Sequence, residues 1–120
     1  MEYKFINTDY LNSVADGDSG IVREIVNMFT DQIIEIYNEM MTCFNKKDYH
    51  SLGLLAHKAK SSVAIMGMTD LASMLKTFEL QAKEGKNSES YRSYIERYKT
   101  ETEEAAKELD DLVNNRLNKN

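Results

Sequence analysis

The chain contains no proline. Its 120 residues include only five glycines, and 42% of the residues are hydrophobic. Proline interrupts a helix because it lacks the backbone donor and clashes with the preceding turn, and glycine is a poor residue for a helix interior. A chain with so few of both can form long helices, and its hydrophobic fraction argues against disorder. The sequence is therefore expected to fold as an all-α protein.

Apolar residues recur every three or four positions along four segments, which is the pattern of amphipathic helices. The segments cover about residues 21–44, 49–66, 69–84 and 88–112, and polar or glycine-containing breaks separate them. Thr69 is expected to cap the helix of the third segment. The apolar stripes contain Val22, Ile25, Phe29, Ile33, Ile36, Met40 and Phe44, then Leu52, Leu55, Ala59, Val63 and Met66, then Leu71, Leu75, Phe78 and Ala82, and finally Tyr91, Ile95, Tyr98, Ala105, Leu109 and Leu112. Helices with short connections bury such stripes best as an antiparallel up-and-down four-helix bundle.

A short additional N-terminal helix is expected before the bundle. Asn7, Thr8 and Asp9 have side chains that can cap a helix start, and the segment continues to Ala15 with apolar residues at helical spacing. No linker or internal repeat divides the sequence, and its length suits one domain. Residues 1–120 are therefore expected to form a single domain.

The charge balance and the single cysteine limit the possible partners. Fifteen basic against twenty acidic side chains give a net charge of −5, which argues against binding to nucleic acid or to an acidic membrane surface. No apolar run approaches the ~20 residues that cross a membrane. Cys43 has no second cysteine with which to form a disulfide, which suits a reducing cytoplasm. We expect a cytoplasmic monomer that binds neither nucleic acid nor membrane.

The sequence also lacks the motifs of common nucleotide-binding, hydrolase and metalloprotease sites. His50 and His57 lie seven residues apart, about 10 Å along a helix, which is too far for one metal ion. Neither histidine follows a glutamate by three positions, as the di-iron sites of helical bundles require. No metal site and no cofactor of its own are expected.

His57 lies on the side of its helix opposite the apolar stripe. Its neighbours on that side include the small residues Gly53, Ser61 and Ala64. A mid-helix glycine costs roughly 1 kcal/mol relative to alanine, and the apolar stripe gives no reason for Gly53. The ring is therefore expected to project over a shallow surface that another protein can approach. The alternative is an ordinary solvated histidine with small neighbours by chance.

The same helix is locally basic. Residues 49–69 contain Lys58 and Lys60 but no aspartate or glutamate, although the chain as a whole is acidic. This distribution predicts an electropositive strip beside His57. Composition and periodicity leave the function of this strip open.

The segment HKAKSSVAIMG, residues 57–67, resembles the H-x-L-K-G-[SA]-x5-G signature of histidine-containing phosphotransfer (HPt) domains. Leu71 and the pair Phe78–Glu79 fall where that family has a second pattern of leucines followed by glutamate. The resemblance covers about residues 9–117. Ala59 replaces a larger apolar residue and Ser61 replaces a glycine, and neither change removes a reactive group.

The resemblance implies a phosphorelay intermediate. In that family a phospho-aspartate of a receiver domain gives its phosphoryl group to the histidine, which passes the group to another receiver. By resemblance, His57 is the phosphoacceptor, Lys60 offsets the phosphoryl charge, and Glu79 accepts a hydrogen bond from the Nδ1–H group and orients the ring. A carboxylate that only pairs with Lys60 or Lys83 is the alternative for Glu79. Magnesium is expected in the receiver partner.

The expected partners are receiver domains of response regulators or hybrid histidine kinases. The residues expected to face them are Gly53, Lys58, Ser61, Ala64 and Gly67. Two other functions are considered. The first is a helical adaptor that binds partners and is never phosphorylated. The second is the dimerisation domain of a histidine kinase, but an ATP-binding domain does not fit in this length, so no autokinase activity is expected.

Overall fold

The computed structural model describes residues 4–7, 9 and 18–116. Its four α-helices are α1 (Ser19–Asn45), α2 (Tyr49–Ile65), α3 (Thr69–Glu84) and α4 (Tyr91–Asp111). A 3-10 turn at Ser88–Ser90 precedes α4, and a π-helical turn at Leu112–Arg116 follows it. The described residues include no strand, so the all-α prediction is confirmed. The predicted leading helix lies outside the described residues, apart from Asn7 and Asp9.

Polar side chains and a left-handed glycine set the helix ends. The Asp18 carboxylate accepts the N–H groups of Gly20 and Ile21 at the start of α1, and the Asp48 carboxylate accepts an N–H group at the start of α2. Gly85 ends α3 with a φ of 67°, a conformation that glycine adopts without strain. The breaks read from the sequence are therefore real helix boundaries.

The predicted cap of α3 is wrong. Thr69 is the first residue of that helix, and Met68 stands at the cap position without a side-chain capping bond. The Met68 side chain is buried and contributes to the core instead. Packing, and not a polar cap, fixes this end of α3.

The core consists of the apolar stripes of all four helices. Phe78, Tyr91 and Tyr98 are among its largest fully buried side chains. The predicted stripes are buried with few exceptions: Ile25, Phe44, Leu55 and Leu112 are only partly buried and pack against the edge of the core. A stripe of apolar residues on every helix thus forms one continuous core.

The most extensive helix–helix contact joins α2 to α3, while α1 packs on α2 and α4. Gly53 makes the close α2–α3 contact possible, since a Cβ at this position would lie 3.2 Å from the backbone of α3, and Ala56 and Ala59 of α2 are also buried. The described residues form an elongated body of 51 × 21 × 20 Å. This tight helix pair is the frame on which the candidate site is built.

The segment before the bundle is attached to the end of α2 and to α4. The backbone N–H of Asn7 donates to the carbonyl oxygen of Met66 at 2.8 Å, and the N–H of Ile6 donates to Glu108 on α4 at 3.1 Å. Gly67 has a φ of 79°, and a Cβ there would overlap with Asn7. Gly67 is therefore needed for a turn and for close packing, and it is half-buried.

Candidate functional site

A histidine on α2 and a glutamate on α3 meet across the helix pair. Nδ1 of His57 lies 3.0 Å from Oε2 of Glu79. The imidazole side chain is 57% exposed, whereas the glutamate side chain is only 8% exposed. The site therefore presents the ring to solvent while its hydrogen-bond partner is enclosed.

Two lysines bind the same carboxylate. Nζ of Lys83, one turn further along α3, lies 2.7 Å from Oε2 of Glu79. Nζ of Lys60, on α2, lies 3.4 Å from Oε1. The sequence left open whether Glu79 contacts the histidine or a lysine, and the structure brings all three donors to it at once.

These donors keep Glu79 ionised. Burial raises the pKa of this carboxyl, but hydrogen bonds from Lys83, His57 and Lys60 outweigh it and lower the pKa to about 2. At neutral pH the group is a carboxylate, which can only accept hydrogen bonds. Nδ1 of His57 must therefore hold the proton, and in the neutral ring the exposed Nε2 keeps its lone pair.

The surface next to the ring is low and lined by small and basic residues. Lys58, Ser61 and Ala64 on α2 are exposed. A shallow hollow of ≈ 350 Å³ lies beside them between α2 and α3. Its lining consists of Lys60, Ser61, Ala64, Ala72, Ser73 and Lys76. No acidic side chain lines this hollow, in agreement with the basic strip predicted from the sequence.

Gly53 is not part of that open surface. It is buried, and a Cβ at this position would lie 2.8 Å from Cγ of Lys83 and 3.2 Å from the carbonyl oxygen of Glu79. The expectation that Gly53 opens a docking surface is wrong, because the glycine instead lets α3 approach α2. This role could not be predicted from the sequence, because the core stripe of α2 lies on another side of the helix.

His50 is exposed in the first turn of α2 and lies two turns away from His57. No group of three or more side chains suited to hold a metal ion occurs among residues 4–7, 9 and 18–116. No helix in the same part of the chain is long and apolar enough to span a membrane. The geometry thus centres on His57, Glu79 and the two lysines.

The sequence is similar to one known protein family. The family model described as the Hpt domain matches residues 24–118, which include all four site residues named above. No match was found among curated proteins or among solved structures. Hpt domains act in histidine phosphotransfer within phosphorelays and interact with receiver domains. Because the family model covers most of the sequence, this chain belongs to the Hpt domain family.

Proposed function

We propose that this chain is a phosphorelay intermediate in which Nε2 of His57 accepts a phosphoryl group from a receiver aspartate and passes it to another receiver. One observation supports this above the others. The exposed ring of His57 is held at Nδ1 by the buried, ionised carboxylate of Glu79, so the free ring nitrogen faces outward. A neutral imidazole nitrogen with a free lone pair is a nucleophile near pH 7.

The bonds, electron pairs and protons of the transfer balance with the groups of this chain, the receiver and the receiver's metal ion alone. The Nε2 lone pair attacks the phosphorus of the acyl phosphate, and the bond between phosphorus and the aspartate oxygen breaks. The receiver carboxylate leaves with that electron pair. The Nδ1 proton stays on the ring, and the negative charge of Glu79 stabilises the phosphorylated imidazolium. In the onward step a second receiver carboxylate attacks phosphorus, and the P–N electron pair returns to Nε2.

Lys60 is proposed to offset the charge of the phosphoryl group. It lies one turn after His57 on α2, and its side chain is 27% exposed. Its hydrogen bond to Oε1 of Glu79, at 3.4 Å, is the longest of the three that reach the carboxylate. A weakly held ammonium group can turn toward an incoming phosphoryl group at little energetic expense.

The receiver is proposed to dock over Lys58, Ser61 and Ala64. These exposed residues and the adjoining hollow form a surface of low relief next to the ring, which a receiver needs to bring its aspartate close. Gly67 is proposed to act at the edge of this surface by shaping the turn after α2. Magnesium and most catalytic groups are proposed to come from the receiver, and the chain needs no cofactor of its own.

We also propose the antiparallel up-and-down order for the bundle and a monomeric state. The positions of side chains support the antiparallel order for α2 and α3, because Gly53 faces Lys83 while the later residue His57 faces the earlier residue Glu79. Residues 46–48 and 66–68 are short connections, as such an order requires. The cytoplasmic location stays a prediction from the single cysteine.

A panel of phosphorylated receiver domains tests the function. The purified chain is incubated with each receiver, and acid-labile phosphate on the chain is measured. We expect at least one receiver to transfer its label to the chain within minutes. A chain that takes no label from any receiver, or from phosphoramidate, contradicts the proposal and favours a helical adaptor that is never phosphorylated.

A further inference from the structure

Lys83 makes the shortest hydrogen bond in the site, and the resemblance gives this lysine no role. Its Nζ lies 2.7 Å from Oε2 of Glu79, the same oxygen that faces Nδ1 of His57 at 3.0 Å. Lys60 binds the other oxygen at 3.4 Å. The oxygen that serves the histidine is therefore fixed chiefly by Lys83.

Gly53 provides the space that Lys83 occupies. A Cβ on Gly53 would lie 2.8 Å from Cγ of Lys83 and 3.2 Å from its backbone nitrogen. Such distances are well inside ordinary van der Waals contact, so an alanine would displace the lysine stem or separate the two helices. Gly53 lies one turn before His57 on α2, and the stem of Lys83 passes over it to reach the carboxylate.

The orientation of the carboxylate decides the state of the ring. If Oε2 turns away, Nδ1 loses its acceptor, and the proton can move to Nε2, the nitrogen that must attack. Lys60 resists this rotation less than Lys83 does, because its contact with Oε1, at 3.4 Å, is the longer of the two. Lys83, the second cation, therefore does more than compensate the charge of the carboxylate, because it also holds Oε2 in place.

We infer that Lys83 is a positioning residue for phosphotransfer and holds Oε2 of Glu79 against Nδ1 of His57. The absence of a Cβ at Gly53 leaves the space that the stem of Lys83 needs for this contact. The inference rests on the proposed function of His57. It differs from an ordinary pair of charges one turn apart on a helix, whose loss would leave the ring unaffected.

The test uses nitrogen NMR and a small phosphodonor, and it compares four variants with the wild type. Long-range proton–nitrogen correlations show which ring nitrogen of His57 holds the proton, and phosphoramidate reports the rate of phosphorylation without a receiver. Lys83→Met removes the ammonium but keeps the stem, and Lys83→Arg keeps a cationic donor. Gly53→Ala crowds the stem and the backbone of Lys83 while its ammonium group remains. Lys86→Met is the matched control, because this nearby lysine pairs with exposed Glu84 instead.

We expect Lys83→Met to reduce the fraction of the ring protonated at Nδ1 and to slow phosphorylation roughly fivefold. Gly53→Ala is expected to shift both measurements in the same direction. Lys83→Arg should restore most of the wild-type behaviour, and Lys86→Met should match the wild type. Since Lys83 is 37% exposed, its substitution should not prevent folding.

A Lys83→Met protein with the tautomer and the rate of the wild type overturns the inference. The two proposals can fail separately. If the wild type accepts no phosphoryl group, the proposed function fails, while the NMR measurement still decides whether Lys83 sets the ring tautomer. If phosphorylation depends on His57 but not on Lys83, only the inference fails.

Discussion

Two glutamates join distant parts of this chain, and they bind different kinds of partner. Glu108 on α4 accepts the backbone N–H groups of Lys4, Phe5 and Ile6 at 3.0 to 3.1 Å. Glu79 on α3 instead accepts from an imidazole and two ammonium groups. Backbone amides do not titrate and cannot turn without moving the chain, whereas these side chains can change charge or partner while the helices stay in place. Glu108 is therefore suited to fastening the fold, and Glu79 to serving a reaction.

The kind of group that each carboxylate holds shows the same difference. Glu108 holds backbone amides, and one of them belongs to Ile6, which is 6% exposed, whereas Glu79 holds the His57 side chain, which is 57% exposed. A glutamate bonded to backbone amides presents no reactive group to a second molecule. One that holds an exposed nucleophile from beneath can influence chemistry on a partner without touching it. The surroundings, and not the residue type, separate a structural carboxylate from a functional one.

The largest expected effect is the loss of phosphorylation in His57→Gln. Glutamine has a similar polar character but no nucleophilic ring nitrogen, so transfer from a phosphorylated receiver should fall to background. His50→Gln serves as the control and should accept label at the wild-type rate. Label that survives in His57→Gln but disappears in His50→Gln would show that the reactive histidine is not the one that Glu79 holds. Glu79 would then have no role in the reaction that Glu108 lacks.

The next effect concerns the surface above the Glu79 site. Ala64→Arg places a long side chain on the proposed docking surface and should slow transfer from a receiver at least ~10-fold by steric obstruction. Phosphorylation by phosphoramidate should remain normal. The melting temperature should change little, since exposed substitutions usually stay within about ±0.5 kcal/mol. Thr100→Arg, an exposed position on α4, is the control on the Glu108 side. Equal rates in the two arginine variants would show that the receiver docks elsewhere.

A pair of matched substitutions separates the two carboxylates directly. Glu79→Gln should slow phosphorylation of His57 by about 10-fold, because the neutral amide no longer stabilises the imidazolium. Glu108→Gln should leave that rate unchanged and lower the free energy of unfolding by about 1–2 kcal/mol, because three amides lose a charged acceptor. Stopped-flow transfer assays and urea denaturation provide the two measurements. A transfer defect in Glu108→Gln would mean that the two regions are coupled.

A smaller effect is expected from Lys60→Ala. One partly exposed cation next to a phosphoryl group competes with water, so its loss should slow transfer by roughly fivefold without abolishing it. Lys58→Ala, also on α2 but with its side chain exposed, is the comparison for phosphoramidate as donor and should react like the wild type. An unchanged rate in Lys60→Ala would leave Glu79 with Lys83 as its only functional cation.

The last effect concerns stability and not the reaction rate, and it is a dependence on pH. The pKa of Glu79 is lowered from 4.5 to about 2, so its ionised form stabilises the fold above about pH 4.5, and this contribution disappears as the pH falls toward 2. The difference in unfolding free energy between wild type and Glu79→Gln should therefore shrink over this range. Urea denaturation at several pH values measures it. A difference that is constant with pH would mean that the charge of Glu79 does not contribute to stability.

The sequence was sufficient to predict the helices and the exposed histidine. The spacing of apolar residues in threes and fours does not depend on how the helices pack. The position of His57 opposite the apolar stripe is likewise a property of one helix alone. The positions of Gly53 and Lys83 could not be predicted. They depend on how far α3 slides along α2 and how closely it approaches, and both are properties of two helices together. Glu79 was predicted in part, because the sequence placed it on α3 but did not show that three donors meet at its carboxylate.

The attachment of the N-terminal segment also bears on the order in which parts of the chain fold and open. His57 and Glu79 are 22 residues apart in sequence, whereas Ile6 and Glu108 are 102 residues apart. Loop-closure entropy rises by about 0.6 kcal/mol for each doubling of loop length, so the longer closure is the less favourable of the two. Transient local opening should also release residues 4–7 before it separates α2 from α3, because the contact between these two helices is the most extensive in the fold. The reactive pair belongs to the part of the molecule that forms from nearby residues and persists through such openings.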